Sequence, residues 1–416
     1  MTTRKGNIGI WIFFIFSPFL TVLYSLKHYK QSFAKNIIWA FTVFYGYTFI
    51  VYNEMDSTRY KEWFLINVSD KLSFGDFLGT LYSVDKFNSG INIDILEPII
   101  SYIISLFTSD YKFLFAAYGL IVGYFYSRNL WYLLERIDFK MKPILLPLIF
   151  CFALISPIWD LNGFRFCAAT HVFLFGALPF LFEGKKKGLI LVAASVLVHF
   201  SFVLPVVILI AYMLIGNRFF IYYVIFIASM FVTEINIDSL NNFITSNFPE
   251  VFQVRTSGYT SIDRAQELKD DSGNSSLNWY VKGHENVLKW LIIVFLSVIF
   301  FRGKDFLQKH KYLLRLICFS LLLYACANLA SLVPSGGRFF SLSNLFALAF
   351  IILYIQTGPK ETVLNKLVPL AVPLMWLFII VRFRMSLDTF GLSTVLGNPI
   401  VIMFFRGDVA LISLIK

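Results

Sequence analysis

Two short clusters of polar side chains in the first half of the sequence have the spacing of a binding or catalytic site. Asp56, Arg59 and Tyr60 follow an apolar block, and Asp56 and Arg59 are three residues apart, so they share a helix face and can pair. Asn162 and Arg165 stand three apart where a later apolar block begins. The N–H groups of a helix start and the fork of an arginine both favour phosphate oxygens. These residue types suit an anionic substrate.

Two further clusters complete the set of candidates. His199 and Ser201 interrupt the otherwise apolar stretch 188–215. An imidazole titrates near neutral pH and therefore suits a general base. A Ser-Gly-Gly-Arg run ends at Arg338 between two apolar blocks. Its glycines allow a backbone to approach a ligand, and Arg338 adds a second donor for phosphate.

Each cluster also has an ordinary interpretation. Asp56 and Arg59 have the pattern of an exposed ion pair, and Arg165 that of an interfacial arginine whose head reaches towards water. His199 has an alternative as a hydrogen-bonded interior residue, and 335–338 as a tight turn. Because ionisable groups at the edges of apolar blocks are costly, each nevertheless counts as a candidate for function.

The elements that must position these groups are long and apolar. The 416 residues are 58% hydrophobic and only 15% charged, which a soluble protein of this size could not bury. Apolar blocks long enough to cross a hydrocarbon core lie near 10–26, 37–52, 111–134, 143–158, 165–182, 188–215, 219–234, 286–302, 311–331, 337–356, 366–383 and 396–413. The predicted fold is an all-α polytopic membrane protein with about 12–14 transmembrane helices.

The charged loops predict the sidedness of these helices. Short basic loops lie at 27–35, 135–142, 183–188, 302–311 and 358–366. Such loops are typical of the cytoplasmic face, so the longer mixed segments, 53–110 and 235–285, are expected on the outer side. Since neither a repeat nor a low-complexity linker divides the chain, residues 1–416 are predicted to form a single integral membrane domain.

This topology makes two local predictions. The apolar stretch 94–108 is too short to span comfortably, so we expect a short helix with both ends outside. The stretch 188–215 must enter the membrane and return, with a break near His199. Irregular backbone at that depth is tolerated where it is buried in protein or lines a wet cavity. All four candidate clusters then face the outer side.

Composition and motifs exclude several classes of protein. The net charge of +11 resides in short loops between apolar blocks, which indicates attraction to anionic lipid rather than a nucleic-acid partner. The four cysteines lie within apolar blocks and have no metal-site spacing. H-E-x-x-H, P-loop and G-x-S-x-G motifs are missing from the sequence, so neither a metal site nor a cofactor is expected.

Several of these residues resemble a known family. The order D-x-x-R-Y, Glu-Pro at the start of a short helix, N-G-x-R-x-x-x-A and H-x-S is similar to the EpsG-like branch of Wzy-type bacterial polysaccharide polymerases. The matching residues are Asp56, Arg59, Tyr60, Glu97, Pro98, Asn162, Gly163, Arg165, Ala169, His199 and Ser201. The motifs cover the first half of the chain, and the second half contributes Arg338.

The resemblance implies a GT-C-like membrane glycosyltransferase that polymerises lipid-linked repeat units of O-antigen, capsule or exopolysaccharide. The donor would be a glycan on undecaprenyl pyrophosphate, attacked by a sugar hydroxyl of a second lipid-linked repeat unit. The implied catalytic residues are His199, Asp56 and Arg165. The implied substrate-binding residues are Arg59, Tyr60, Glu97, Asn162, Ser201 and Arg338.

The resemblance further implies a bacterial inner-membrane protein with its active site facing the periplasm. Its partners would be undecaprenyl-pyrophosphate-linked glycans and membrane lipids, with a chain-length regulator and a flippase as candidate protein partners. A transporter or flippase for lipid-linked glycan would also line a cavity with arginines, but such proteins usually contain repeats with broken helices in both halves. An O-antigen ligase would share the arginines and the histidine, and a membrane acyltransferase also has a histidine in an apolar run.

Overall fold

The structure, a computed structural model, describes residues 4–51, 55–82, 94–137, 142–260, 278–358, 363–405 and 407–415. Nearly all of this part of the chain is helical, and β-structure in it is limited to a single bridge between Gly391 and Ala410. Parts of the predicted outer segments 53–110 and 235–285 lie outside the described residues.

The helices of the first half differ widely in length. They are α1 Arg4–Phe16, α2 Pro18–Lys27, α3 Ala34–Tyr47, α4 Asp56–Asp70, α5 Phe74–Tyr82, α6 Leu96–Ser105, α7 Lys112–Leu134, α8 Leu145–Ile155, α9 Phe164–Glu183, α10 Leu189–Val198 and α11 Val203–Ile215. Three 3₁₀ turns lie between these helices. Ile158–Gly163 connects α8 to α9, Lys186–Gly188 lies between α9 and α10, and Phe200–Phe202 connects α10 to α11.

The second half continues in the same way. Its helices are α12 Phe219–Ser229, α13 Ile237–Asn247, α14 Glu250–Thr260, α15 Trp279–Arg302, α16 Lys304–Lys309, α17 Lys311–Ala330, α18 Phe339–Thr357, α19 Val363–Thr389, α20 Leu392–Leu396 and α21 Pro399–Ile402. The 3₁₀ turns of this half are Gly336–Arg338, which leads into α18, and Leu411–Leu414.

Five helical segments of the described chain are long and apolar enough to cross a membrane. They are Leu145–Glu183, Trp279–Arg302, Lys311–Ala330, Gly336–Thr357 and Val363–Thr389. The protein is therefore an all-α polytopic membrane protein, which confirms the predicted fold class. Fewer segments reach spanning length alone than the sequence suggests, because several apolar blocks are divided. Pro18 opens a new helix after α1, and His199 separates α10 from α11.

One predicted span is wrong. The apolar block 396–413 forms only the short helix α21 and a 3₁₀ turn, Leu411–Leu414. Asn398 caps α21 by accepting from the backbone N–H groups of Ile400 and Val401, and Pro399 occupies its first position. Glycine and proline at the edges of an apolar run stop a helix even where hydropathy alone predicts one.

The structure contains both the predicted short helix and the predicted break near His199. Helix α6 contains only 10 residues, and the chain before and after it stays at the same end of the molecule. The stretch 188–215 is broken at His199, whose backbone is extended with φ −152° and ψ 121°. Pro205 in the first turn of α11 suits a new helix start but could not continue an existing helix.

The basic loops meet at one end of the helical bundle. Lys35 Nζ lies 2.9 Å from Glu135 Oε1, and Arg136 pairs with Glu183. Lys142 Nζ donates to a carbonyl in the last turns of α18 at 2.6 Å. These contacts join three of the basic loops to one another and to the end of α18, and we call this region the basic end.

The candidate groups meet at the other end, which we call the site end. Helix α9 connects the two, because Arg165 lies in its first turn and Glu183 is its last residue. Its 20 residues span about 30 Å at 1.5 Å per residue. The basic loops and the candidate groups are thus on opposite ends, as the charge pattern predicts.

Helices α3 and α7 approach so closely that only glycine fits between them. A Cβ on Gly119 would lie 2.2 Å from the carbonyl oxygen of Thr42, and one on Gly46 would lie 2.1 Å from that of Phe115. Close backbone approach through small residues is a common packing mode of membrane helices. This close contact with α3 fixes the position of α7, the helix on which Tyr118 lies.

Candidate active site

Asp94 is the centre of the polar cluster at the site end. Its Oδ2 accepts from His199 Nδ1 at 2.9 Å and from Arg165 Nη1 at 3.1 Å, while its Oδ1 accepts from the backbone N–H of Phe200 at 2.6 Å. Only 5% of its side chain is exposed. One buried carboxylate therefore joins the break after α10 to the first turn of α9 and to the chain before α6.

The charge on Asp94 is held by its neighbours. Burial raises the pKa of this carboxyl, but the hydrogen bond and charge of His199, the charge of Arg165 and the Phe200 N–H together lower it below its usual value. Asp94 is thus an anion near neutral pH and can only accept hydrogen bonds. His199 must then carry a proton on Nδ1, which leaves Nε2 with its lone pair whenever the ring is neutral.

Arg165 is fixed from a second side by Tyr60. Its Nε donates to the Tyr60 hydroxyl at 3.2 Å, and its guanidinium carbon lies 5.7 Å from the centre of the Tyr60 ring. Tyr60 is buried in α4, whereas a quarter of the Arg165 side chain remains exposed. The guanidinium is therefore oriented by two partners and still accessible to an anion.

Glu97 forms a second buried acidic group one turn beyond Asp94. Its Oε1 accepts from the Tyr118 hydroxyl at 2.8 Å. Burial raises the pKa of Glu97 to about 7, although the Tyr118 hydrogen bond and the charge of Arg165 act in the opposite direction. The predicted substrate-binding residue Glu97 thus links α6 to α7 beside the Asp94 cluster.

The raised pKa of Glu97 predicts a pH-dependent stability. The unfolded chain loses this proton first, so stability is full below the unfolded pKa of 4.5 and falls as the pH rises through about 7. The melting temperature of the purified wild type should therefore drop between about pH 5 and pH 8, and Glu97→Gln should flatten this slope. The exposed control Glu62→Gln should keep the wild-type slope. Equal slopes for wild type and Glu97→Gln would contradict the assignment.

Asp56, Arg59 and Asn162 lie beside the cluster with other partners. Asp56 and Arg59 form an ion pair on α4, and 59% of the Arg59 side chain is exposed. The Asn162 side-chain oxygen accepts from the backbone N–H of Ser57 at 3.1 Å, in the first turn of α4. The structure thus gives Asn162 a role in holding α4, and it places the predicted catalytic Asp56 in a pair away from Asp94.

Arg338 and Ser201 are sequence neighbours of two residues that pack against the ring of Phe166. The Phe166 ring centre is 5.8 Å from that of His199 and 6.0 Å from that of Phe339, which follows Arg338. The Arg338 side chain is exposed and makes no hydrogen bond or ion pair with the described residues. The Ser201 hydroxyl is buried and likewise without a partner in this part of the chain.

Two acidic residues outside the predicted set have partners that are distant in sequence. Asp94 lies at the start of the predicted apolar stretch 94–108, and a carboxylate at the edge of such a stretch is itself a signal of function. Asp160, two residues before Asn162, pairs with the buried Arg382 at 2.9 Å. Arg382 also donates to the carbonyl of Leu154 at 2.8 Å, so this pair fastens α19 to the end of α8.

Comparison with known sequences and structures gives one match. A sequence model of the EpsG family matches residues 52–392, which include every predicted site residue. No curated protein and no solved structure matches the chain significantly.

Proposed function

Because the chain belongs to the EpsG family, we propose that it polymerises undecaprenyl-pyrophosphate-linked oligosaccharide repeat units into surface polysaccharide, as a GT-C-like glycosyltransferase. The observation that supports this most directly is the Asp94–His199–Arg165 cluster, which combines an oriented imidazole with an accessible guanidinium. A base and a cation side by side suit the transfer of a sugar from a pyrophosphate leaving group.

In the proposed reaction, a sugar hydroxyl of the acceptor attacks the anomeric carbon of the donor glycan. The new glycosidic C–O bond forms while the C–O bond to undecaprenyl pyrophosphate breaks. The bonding electron pair leaves with the pyrophosphate, and the hydroxyl proton passes to His199 Nε2. Asp94 stabilises the resulting imidazolium through Nδ1–H, as a carboxylate does for a catalytic histidine in general.

The arginines have the complementary role. Negative charge develops on the leaving pyrophosphate, and Arg165 is positioned before the reaction by Asp94 and Tyr60, so that little reorganisation is needed. Arg338 would contact the same pyrophosphate, since its guanidinium is exposed. Arg59 lies further out on α4 and would meet the glycan rather than the phosphates.

We further propose that the site end faces the periplasm of a bacterial inner membrane. The opposite, basic end has the lysines and arginines expected of cytoplasmic loops. Residues 53–110 and 235–285 would then be outer segments of one integral domain. A flippase would deliver the repeat units to that side, and a chain-length regulator would be a second candidate partner.

The product pattern of a His199→Ala strain tests this function. Surface polysaccharide from the native host, separated on a gel, should change from long chains to glycans of a single repeat unit. A lipid-linked glycan transporter would instead lose all surface glycan, and a ligase would leave long chains on the carrier lipid. Wild-type chain lengths would contradict the proposal, provided that immunoblots show equal amounts of the variant. His310→Ala, at the basic end, is the matched control and should keep long chains.

A further inference from the structure

An apolar groove lies directly beside His199. It encloses about 530 Å³ between α11, the α13–α14 pair and the C-terminal end of α17. This volume is within the range of small-molecule binding pockets, about 300–1,000 Å³. The groove is outside the hydrogen-bonded cluster of Asp94, so the reaction proposed above assigns it no role.

The walls of the groove suit hydrocarbon. Leu204, Val207, Leu329 and Val333 are among its lining residues. The hydroxyl of Thr256, another lining residue, is already bonded to carbonyls of its own helix. The lining residues that the structure describes include no charged side chain, so a charged ligand would find no ion-pair partner along these walls, whereas an alkyl or isoprenoid chain would move from the bilayer into an equally apolar environment.

The inner end of the groove adjoins the site. Phe200 lines the groove and donates its backbone N–H to Asp94. Ser201 lines it with a buried hydroxyl that has no partner among the described residues. Gly336 and Phe339, on either side of the exposed Arg338, line the opposite wall. A hydroxyl donor and a cation at the end of an apolar channel are complementary to an amphiphile with an anionic head.

The outer side of the groove opens towards lipid. Val207 faces outward from α11 with 53% of its surface exposed, and Leu204 is similarly accessible. Helices α13 and α14 cover the other side, where the ring of Phe252 packs edge-on against Phe200 at 5.2 Å. Residues 261–277, which lie outside the described part of the chain, are polar in sequence and do not match the chemistry of the groove.

We propose that this groove binds the first isoprene units of the lipid carrier, with the Ser201 hydroxyl donating to a phosphate oxygen of its head. The inference rests on the proposed function for the identity of the lipid. The groove sets the position of the pyrophosphate relative to Arg165 and His199. An extended, branched hydrocarbon chain enters from the bilayer beside α11, and its anionic head comes to rest between Ser201 and Arg338.

Binding of undecaprenyl pyrophosphate to the purified full-length protein in nanodiscs tests the groove without requiring turnover. Val207→Trp and Leu329→Trp each place an indole in the groove and should weaken binding by about tenfold or more, because the indole fills the space of the chain and removes its many van der Waals contacts with the walls. Val224→Trp, on the lipid-exposed face of α12 away from the groove, should bind as wild type does. Farnesyl pyrophosphate, which has the same head and keeps the isoprene units nearest to it, should be weakened by the indoles in the same way.

The outcomes separate the groove from the proposed function. Wild-type affinity in both groove variants would overturn the groove assignment, even if His199→Ala abolishes polymerisation. Equal binding of phosphatidylglycerol, in competition with undecaprenyl pyrophosphate, would also overturn it, since the groove would then hold ordinary lipid. If the groove variants lose binding while His199→Ala keeps it and still makes long chains, the groove assignment stands and the polymerase function fails. Two groove variants are tested because either one could misfold. Each is scored only if it elutes as monodisperse protein.

Discussion

Asp94→Asn is expected to slow polymerisation by about 10²–10⁴-fold, the range for loss of general acid–base catalysis. Asparagine has the same shape but cannot accept from His199, Arg165 and the Phe200 N–H at once, since one of its two side-chain atoms is a donor. The amide would favour the His199 tautomer with the proton on Nε2, which cannot take a proton from the acceptor hydroxyl.

Initial rates in proteoliposomes, with purified lipid-linked repeat units as substrate, measure this effect. Asp76→Asn is the matched control, because Asp76 lies on α5 with its carboxylate exposed and, among the described residues, bonded to the neighbouring Ser73. Its rate should equal that of wild type. A wild-type rate for folded Asp94→Asn would remove Asp94 from the catalytic machinery.

Arg165→Lys is expected to cost about 10²–10³-fold in the rate of polymerisation at saturating donor, the range for loss of one preorganised donor to a developing anion. Lysine keeps the charge but has no planar fork, so it cannot contact Asp94 and Tyr60 and still present N–H groups to a pyrophosphate. Loss of leaving-group stabilisation lowers kcat, whereas loss of ground-state binding alone would raise KM.

Measuring kcat and KM separately for Arg165→Lys checks this prediction. Arg384→Lys is the control, since Arg384 forms an exposed pair with Asp388 on α19 and lies on no wall of the site. Its kinetics should match those of wild type. If Arg165→Lys raises KM and leaves kcat unchanged, Arg165 binds the donor but does not stabilise the leaving group.

The sequence predicted where the helices lie better than it predicted which side chains contact one another. Block lengths and loop charges located the helices and the two ends, and the need to return the chain located the break at His199. The motif residues Tyr60, Arg165 and His199 do come together. Asp94 was missed because its partners are 71 and 105 residues away in the chain, and no local spacing reports such contacts.

The errors have similar physical causes. Hydropathy averages over Gly397 and Pro399, so it predicted a span where the chain turns repeatedly. The i,i+3 spacing correctly predicted that Asp56 and Arg59 pair, but spacing could not tell whether that pair faces the cluster or the surface. The pairing of Asp160 could not be predicted from local spacing, because its partner Arg382 comes from a helix more than 200 residues later.

The division of the chain at His199 has a consequence for the surrounding bilayer. The 10 residues of α10 and the 13 of α11 rise about 15 and 20 Å, well short of a hydrocarbon core of about 30 Å. Both carry lipid-exposed residues such as Ile190 and Leu214. The lipids beside these short helices must shorten or tilt to match their length. The bilayer is therefore locally thinner at the site end. The pyrophosphate head of the proposed donor would then descend to the depth of His199 while remaining hydrated.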